Sequence, residues 1–174
     1  LVGKINIPSN VHINYIHADF LLYQFNKKYD IVVGNPPYVR AKHIDDESKV
    51  LLSRWQVARC GNADLYLPFF EIACGILRED GVLGYITLNS FFKSVNARLL
   101  RSYFRSSNTA LEIVDFGDQP IFGKTLAYTC IVLIDKLGEA GINYTKGQIN
   151  VNRFSEKPTH FNLIPYSELD DHKG

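Results

Sequence analysis

Tyr29-Asp30-Ile31-Val32-Val33-Gly34-Asn35-Pro36-Pro37-Tyr38 is the stretch whose reading decides the fold. A short continuous apolar run after Lys27-Lys28 predicts a strand over Tyr29 to Val33, buried on both faces. The run stops at a glycine and two prolines. Gly34 permits a close backbone approach, Pro36 drives Asn35 out of the helical region, and the paired prolines stiffen the turn that carries Asn35 and Tyr38. In open α/β sheets ligands collect beyond the carboxyl ends of strands, which is where this tetrapeptide falls. Ordinary residue usage yields Asn-Pro-Pro-Tyr by chance in on the order of one in a thousand chains of this length, so the motif carries information.

Working outward, Val11 to Ile16 alternates as a strand does, and Asp45-Asp46-Glu47 ahead of Val50-Leu51-Leu52 predicts an amphipathic helix with an acidic first turn. Asp64 is read as the cap of a helix reaching about Leu77, with Pro68 in its first turns and Glu79-Asp80-Gly81 as its stop. Val82 to Leu88 is a strand. Ser94 to Ser106 is a surface helix with Leu99, Leu100, Tyr103 and Phe104 at helical spacing. Two further strands, Leu111 to Phe116 and Ala127 to Asp135, are joined by a short loop holding Gly117, Pro120 and Gly123. This order describes an α/β sheet, mostly parallel by its helical crossovers, ending in an antiparallel pair. Beyond Lys136 three glycines break the chain, and Gln148 to Phe154 is a candidate last strand.

At 174 residues and 46% apolar, the chain has the material for one substantial core. No apolar run approaches the roughly 18 to 20 residues of a bilayer span, so no membrane association is expected. Three widely spaced cysteines, Cys60, Cys74 and Cys130, fit neither a disulfide framework nor a metal site and suit a cytoplasmic protein. A net charge of +1 gives no broad polyanion-binding footprint. No secretory leader opens the sequence, and since it holds no methionine it is expected to be an internal fragment or a processed chain.

The tetrapeptide suits one kind of chemistry. An aromatic amine such as adenine N6 is a poor nucleophile, because its lone pair is delocalised into the ring, and it carries two N–H donors. The Asn35 side-chain oxygen and the Pro36 carbonyl are two acceptors that would draw such a nitrogen toward an attacking geometry without a strong base. Tyr38 offers a flat face on which an extruded base can stack.

Three blocks, Ala18-Asp19-Phe20-Leu21-Leu22, then Tyr29 through Tyr38, then Asp64-Leu65-Tyr66-Leu67-Pro68-Phe69-Phe70-Glu71, resemble the gamma-class N6-adenine DNA methyltransferases of type II restriction–modification systems, including enzymes fused to a nuclease. Gly81 to Thr87 and Ile121-Phe122-Gly123-Lys124-Thr125 extend the likeness over about residues 16 to 136, in the family's order. The resemblance implies a Rossmann-like S-adenosylmethionine-dependent sheet and double-stranded DNA with a flipped adenine as substrate. It implies that residues 1–136 are the C-terminal portion of a catalytic domain, and that 137–174 are a linker or the start of a target-recognition region.

Position by position, Asp19 matches the acid that receives the exocyclic amine of the cofactor's adenine, and Phe20 its ring-contacting neighbour, a helix-capping Asp and a core Phe being the alternative. Asn35, Pro36 and Tyr38 match the target-amine residues, with Pro37 beside them at the substrate. Phe69 matches an aromatic of the cofactor pocket, plain helix core being the alternative. Phe122 matches the aromatic that sandwiches the flipped adenine opposite Tyr38, though Phe116 or Phe122 can equally be core. The family's glycine-rich loop and ribose-binding acid lie ahead of the segment that begins here. The fragment alone is therefore expected to be inactive or nearly so.

Arg40, Lys42 and His43 are read either as phosphate contacts or as a solvated loop, with Arg40 and also Lys93, near another strand end, kept as candidate substrate contacts. Arg98, Arg101 and Arg105 are read as a solvent-facing stripe. Gly123-Lys124-Thr125 lacks the spacing and the following helix of a phosphate loop, and no metal ligands are assigned. His12, His17, His160 and His172 show no partner pattern. Rival functions are methylation of a glutamine amide or an RNA guanine amine, which similar turns serve, or a non-catalytic DNA-binding or interaction module.

Overall fold

The computed structural model describes residues 8–59, 61–118, 128–147 and 162–168. Its elements are β1 (Tyr29–Gly34), α1 (Asp46–Leu52), α2 (Leu67–Ile76), β2 (Leu77–Leu88), α3 (Arg98–Ser106), β3 (Ala110–Asp115), β4 (Thr129–Asp135), β5 (Gly141–Lys146) and β6 (Asn162–Ile164). The six strands form one sheet in the order β1-β2-β4-β3-β5-β6.

Strands β1 and β2 pair in parallel, as do β3 and β5, while β4 runs antiparallel to both its neighbours and β6 antiparallel to β5. Four strands thus share one direction, and the sheet is mixed because β4 is inserted between β2 and β3. The carboxyl ends of β1, β2 and β3 and the start of β4 consequently lie along one edge. The β3–β4 pair is antiparallel, as the short connection predicts.

Register alternation divides the side chains into two faces. Leu83, Tyr85, Val132, Ile134, Leu111 and Ile113 share the buried face, and Phe70 of α2 and Leu100 and Phe104 of α3 join the same core. Phe70 is the hub, with its ring edge-on to those of Tyr85 at 5.2 Å and Phe104 at 5.6 Å between centroids. Helix α1 begins as its sequence predicts: the Asp45 carboxylate accepts from Ser48 N at 2.8 Å, and Asp46 and Glu47 occupy the positive end.

Several expectations are corrected. The stretch Val11 to Ile16 is not a strand: Val11, Ile13, Tyr15 and Ile16 are all exposed, and alternation without a neighbouring strand to accept its hydrogen bonds does not make one. Strand β1, at the edge of the sheet among the described residues, is not buried on both faces: Ile31 and Val33 are 68% and 76% exposed.

Helix α2 starts at Leu67 rather than at an Asp64 cap and stops at Ile76, passing directly into β2. Gly81 lies inside that strand, not at a helix end. A Cβ there would meet Leu77 Cγ at 2.8 Å and the Asp30 carbonyl oxygen at 2.9 Å, so this glycine serves close packing against β1. Arg101 does not face solvent: its guanidinium donates to the Phe91 and Ser94 carbonyls, both at 2.8 Å. Gly141 to Lys146, read as broken chain, forms β5, because pairing with β3 outweighs the local glycine signals. The candidate strand Gln148 to Phe154 lies outside the described residues.

Among the described residues no helix is long and apolar enough to cross a membrane, and no cluster of metal-ligating side chains occurs. Cys74 and Cys130 are free and buried. Burial pushes the Cys74 thiol up to about 12 from its ordinary 9, and raises the Tyr103 phenol from 10 to about 12. Both groups are protonated in folded and unfolded chain alike below pH 9. As pH rises further the unfolded chain loses these protons first, and the stability they confer is lost through the folded values. The thermal midpoint should therefore be insensitive to these groups up to pH 9 and fall between pH 9 and pH 12, which calorimetry across that range measures.

Candidate active site

The turn Asn35-Pro36-Pro37-Tyr38 leaves the carboxyl end of β1 at the edge where β2 and β3 also end. Asn35 is exposed, Pro36 is buried, and Pro37 and Tyr38 are half-buried. Four contacts hold this arrangement. The Tyr85 ring lies 3.0 Å from where a Cβ on Gly34 would stand, so a side chain there would press on that ring. The Tyr38 hydroxyl donates to the Ile86 carbonyl at 3.3 Å. Downstream, Leu65 N donates to the Val39 carbonyl at 2.9 Å, and the Asp64 carboxylate accepts from Ala41 N at 2.8 Å.

Asp64 is thus a latch on the exit of the turn rather than a helix cap. Local sequence cannot reveal a bond spanning 23 residues. Asp64→Ala leaves the part-buried Ala41 N–H without its acceptor and should cost about 1–3 kcal/mol, read from the urea midpoint of the full-length protein. Asp64→Asn, which keeps an acceptor oxygen, should recover part of that loss.

Burial pushes the Tyr38 phenol up to about 12, with the nearby Cys130 adding to the shift. The hydroxyl therefore stays protonated at neutral pH, and Tyr38 serves as a ring and a hydrogen-bond donor, not as a base.

Asp19 is exposed; one of its carboxylate oxygens accepts from Leu21 N at 2.8 Å, and its backbone carbonyl accepts from Leu22 N and Tyr23 N. Phe20 and Phe69 come together from segments about 50 residues apart, stacked with centroids 4.7 Å apart and planes 9° from parallel. The Tyr85 hydroxyl reaches the Phe69 carbonyl at 3.4 Å. Tyr85 therefore links the Phe20–Phe69 pair to the Asn35–Tyr38 turn, which it packs against at Gly34.

Tyr38 and Arg40 line a cleft of about 720 Å³, with Leu88, Ser90 and Tyr128 on other parts of its wall. Lys93 is exposed at the end of the 3-10 turn Asn89–Phe92 and is not part of that wall. Phe116 is buried core, and Phe122 lies outside the described residues.

A family model described as the Eco57I restriction-modification methylase matches residues 4–122, well over half of the chain. The chain belongs to the Eco57I restriction-modification methylase family. The type II methyltransferase M.BstVI of Geobacillus stearothermophilus is 36% identical over 124 residues, which are 68% of this chain and 22% of that protein. The type II restriction enzyme and methyltransferase RM.Eco57I of Escherichia coli is 29% identical over 114 residues, 64% of this chain and 11% of that protein. The chain thus spans no more than 22% of the length of these curated relatives. Among solved structures, the type I restriction-modification methyltransferase subunit from Streptococcus thermophilus superposes with a TM-score of 0.59 at 16% identity, over 86% of this chain and 38% of that one. At that identity the likeness establishes the fold, a Rossmann-like methyltransferase sheet.

The Eco57I-family match takes in the turn, the Phe20–Phe69 pair and β1 through β3. Behind the cleft stands a polar network that the sequence did not reveal. The Asp115 carboxylate, at the end of β3, accepts from Asn89 Nδ2 at 2.8 Å, from the Tyr144 hydroxyl at 2.7 Å and from Gly117 N at 3.0 Å. Burial opposes its ionisation, but these three hydrogen bonds, with Lys146 nearby, outweigh burial and hold the carboxyl below its ordinary value. Asn89 N in turn donates to the Tyr128 carbonyl at 2.9 Å, so the network fixes the strand ends on which the cleft stands.

Proposed function

We propose that this chain is part of a restriction–modification enzyme that transfers a methyl group from S-adenosylmethionine to adenine N6 within a specific double-stranded DNA sequence. The observation that carries this reading is the Asn35–Tyr38 turn, held rigidly at the end of β1 with Tyr38 lining a cleft. The Eco57I-family membership supports DNA methylation as the activity.

The residues present fit the cofactor. Asp19 offers an exposed acceptor for an adenine amine beside an aromatic pair. With the Phe20 and Phe69 centroids at 4.7 Å no third ring enters between them, since each stacked interface itself needs roughly that spacing. The cofactor's adenine is accordingly assigned to an outer flank of the pair. When bound, S-adenosylmethionine supplies an electrophilic methyl on its sulfonium.

The chain's own residues prepare the nucleophile. The Asn35 side-chain oxygen and the Pro36 carbonyl accept the two N–H groups of the target amine, concentrating electron density on nitrogen as it attacks. Tyr38, anchored through its hydroxyl to Ile86, supplies the stacking face for an adenine that has left the duplex. Phe122 is assigned to the opposite face of that adenine. The nitrogen would take the methyl group directly, with the thioether as leaving group and the surplus N6 proton passing to solvent, and no covalent enzyme intermediate would form.

The test is product identity. The full-length protein, incubated with methyl-labelled cofactor and a mixture of duplex DNA of varied sequence, RNA and protein, should yield label on N6-methyl-2′-deoxyadenosine after digestion to nucleosides. Label on cytosine, on RNA or on protein would overturn the assignment, the last two outcomes favouring the guanine or glutamine alternatives.

A further inference from the structure

The cleft beside Tyr38 carries an asymmetry of charge that the amine-methylation reading does not use. Arg40, Lys42 and Lys49 all line it, contributed by the segment just after the catalytic turn and by α1. Asp64 is its one lining carboxylate, and one oxygen of that group is committed to Ala41 N. The other lining side chains are neutral. Over the whole chain the net charge is only +1, so three cations in one cleft are a local concentration rather than part of a general basic surface.

Both sides of the cleft are held in place before any ligand arrives. On the side of the turn, Asp64 and Leu65 fix the segment that carries Arg40 and Lys42. On the other, Arg101 clamps the Phe91 and Ser94 carbonyls, and the Ser94 hydroxyl accepts from Asn96 N at 3.2 Å. Lys49 pairs with Asp46 at 2.9 Å, but the Asp46 side chain is 97% exposed. An exposed pair of that kind contributes little and exchanges readily for a stronger anion. A preformed cavity with cations on one wall and an aromatic ring beside them suits a nucleotide unit, its charge on the wall and its base at the ring.

We propose that Lys42 and Lys49, with Arg40, bind the DNA backbone phosphates that flank the extruded adenine, so that α1 positions the duplex over the catalytic turn. This rests on the nucleic-acid reading above. It assigns α1 a function that the turn itself cannot supply: the acceptors of Asn35 and Pro36 bind the base, and nothing in the turn bears the positive charge that a phosphate requires.

The salt dependence of binding tests it. With the full-length protein and a fluorescent 30-base-pair duplex of mixed sequence, affinity is measured between 50 and 200 mM salt. Each phosphate contact steepens the fall of log K against log salt by about 0.9, so a variant lacking one contact should lose roughly 3.5-fold less affinity over that range than the unaltered protein. Lys42→Gln and Lys49→Gln should each show this change, and the double variant the sum. Arg54→Gln, an exposed cation outside the cleft, is the control for total charge and should leave the slope unaltered.

Unchanged slopes in both lysine variants would overturn the proposal, as would a slope change equal to that of Arg54→Gln. Polyglutamate at equal charge, displacing DNA through these lysines, would also overturn it in favour of an acidic protein surface. Because both lysines are surface side chains, unaltered thermal midpoints will confirm that the variants are folded. Nucleoside analysis of the labelled product separates failure here from failure of the adenine assignment: the label can appear on adenine while the slopes do not move.

Discussion

Asn35→Ala in the full-length protein is expected to reduce methyl transfer by about 10²–10³-fold or more, the loss found when a single preorganised polar partner of a transition state is removed. The reasoning is electrostatic. The target nitrogen acquires positive charge as it attacks, and an acceptor on each of its N–H bonds stabilises that charge more than it stabilises the neutral amine. Asn35 is exposed at the end of β1, and the turn is held by Gly34, Tyr38 and Asp64, so the side chain can be removed without disturbing its supports. The folding stability should remain within about 0.5 kcal/mol of that of the unaltered protein, as for surface substitutions generally. Single-turnover rates with saturating cofactor and DNA are the measurement, and a near-normal rate would remove the acceptor role.

Phe70→Ala is expected to be the most damaging single truncation of the core, costing about 3–5 kcal/mol. Phe70 is fully buried and its ring contacts those of Tyr85, Phe91 and Phe104, so its removal leaves a cavity between α2, α3 and β2. Against a total stability of roughly 5–15 kcal/mol this is a large fraction. The effect should also reach the site, because Tyr85 packs over Gly34 and reaches the Phe69 carbonyl. Calorimetry should show the domain's transition lowered by more than about 6 °C. Phe70→Leu, which refills most of the volume, should recover much of the loss; equal effects from the two substitutions would argue against the cavity explanation.

Much of the geometry of the candidate turn was legible in advance because it is local in sequence. Two prolines constrain their own neighbourhood whatever the rest of the chain does, so the stiffness of Asn35 to Tyr38 could be read from four letters. The strand before it and the acidic start of α1 were legible for the same reason. Three things were not. Asp64 was given to a helix start, the commonest use of an aspartate before an apolar run, whereas its carboxylate reaches across 23 residues to Ala41. The strand β5 was hidden by flanking glycines, since its partner is β3 and not its own propensity. The cationic wall was divided between a loop and a helix, and only their packing shows that Lys42 and Lys49 line one cleft.

By itself the sequence determined the α/β class and the position of the Asn35–Tyr38 turn at a strand end. Each depends on interactions within a few residues: apolar periodicity and proline geometry. Only the tertiary structure decided that β4 inserts between β2 and β3, that Phe20 stacks on Phe69, and that Tyr85 bridges that pair to the turn. These depend on contacts between residues tens of positions apart, and such contacts exist only once burial of the Phe70 core has brought the segments together.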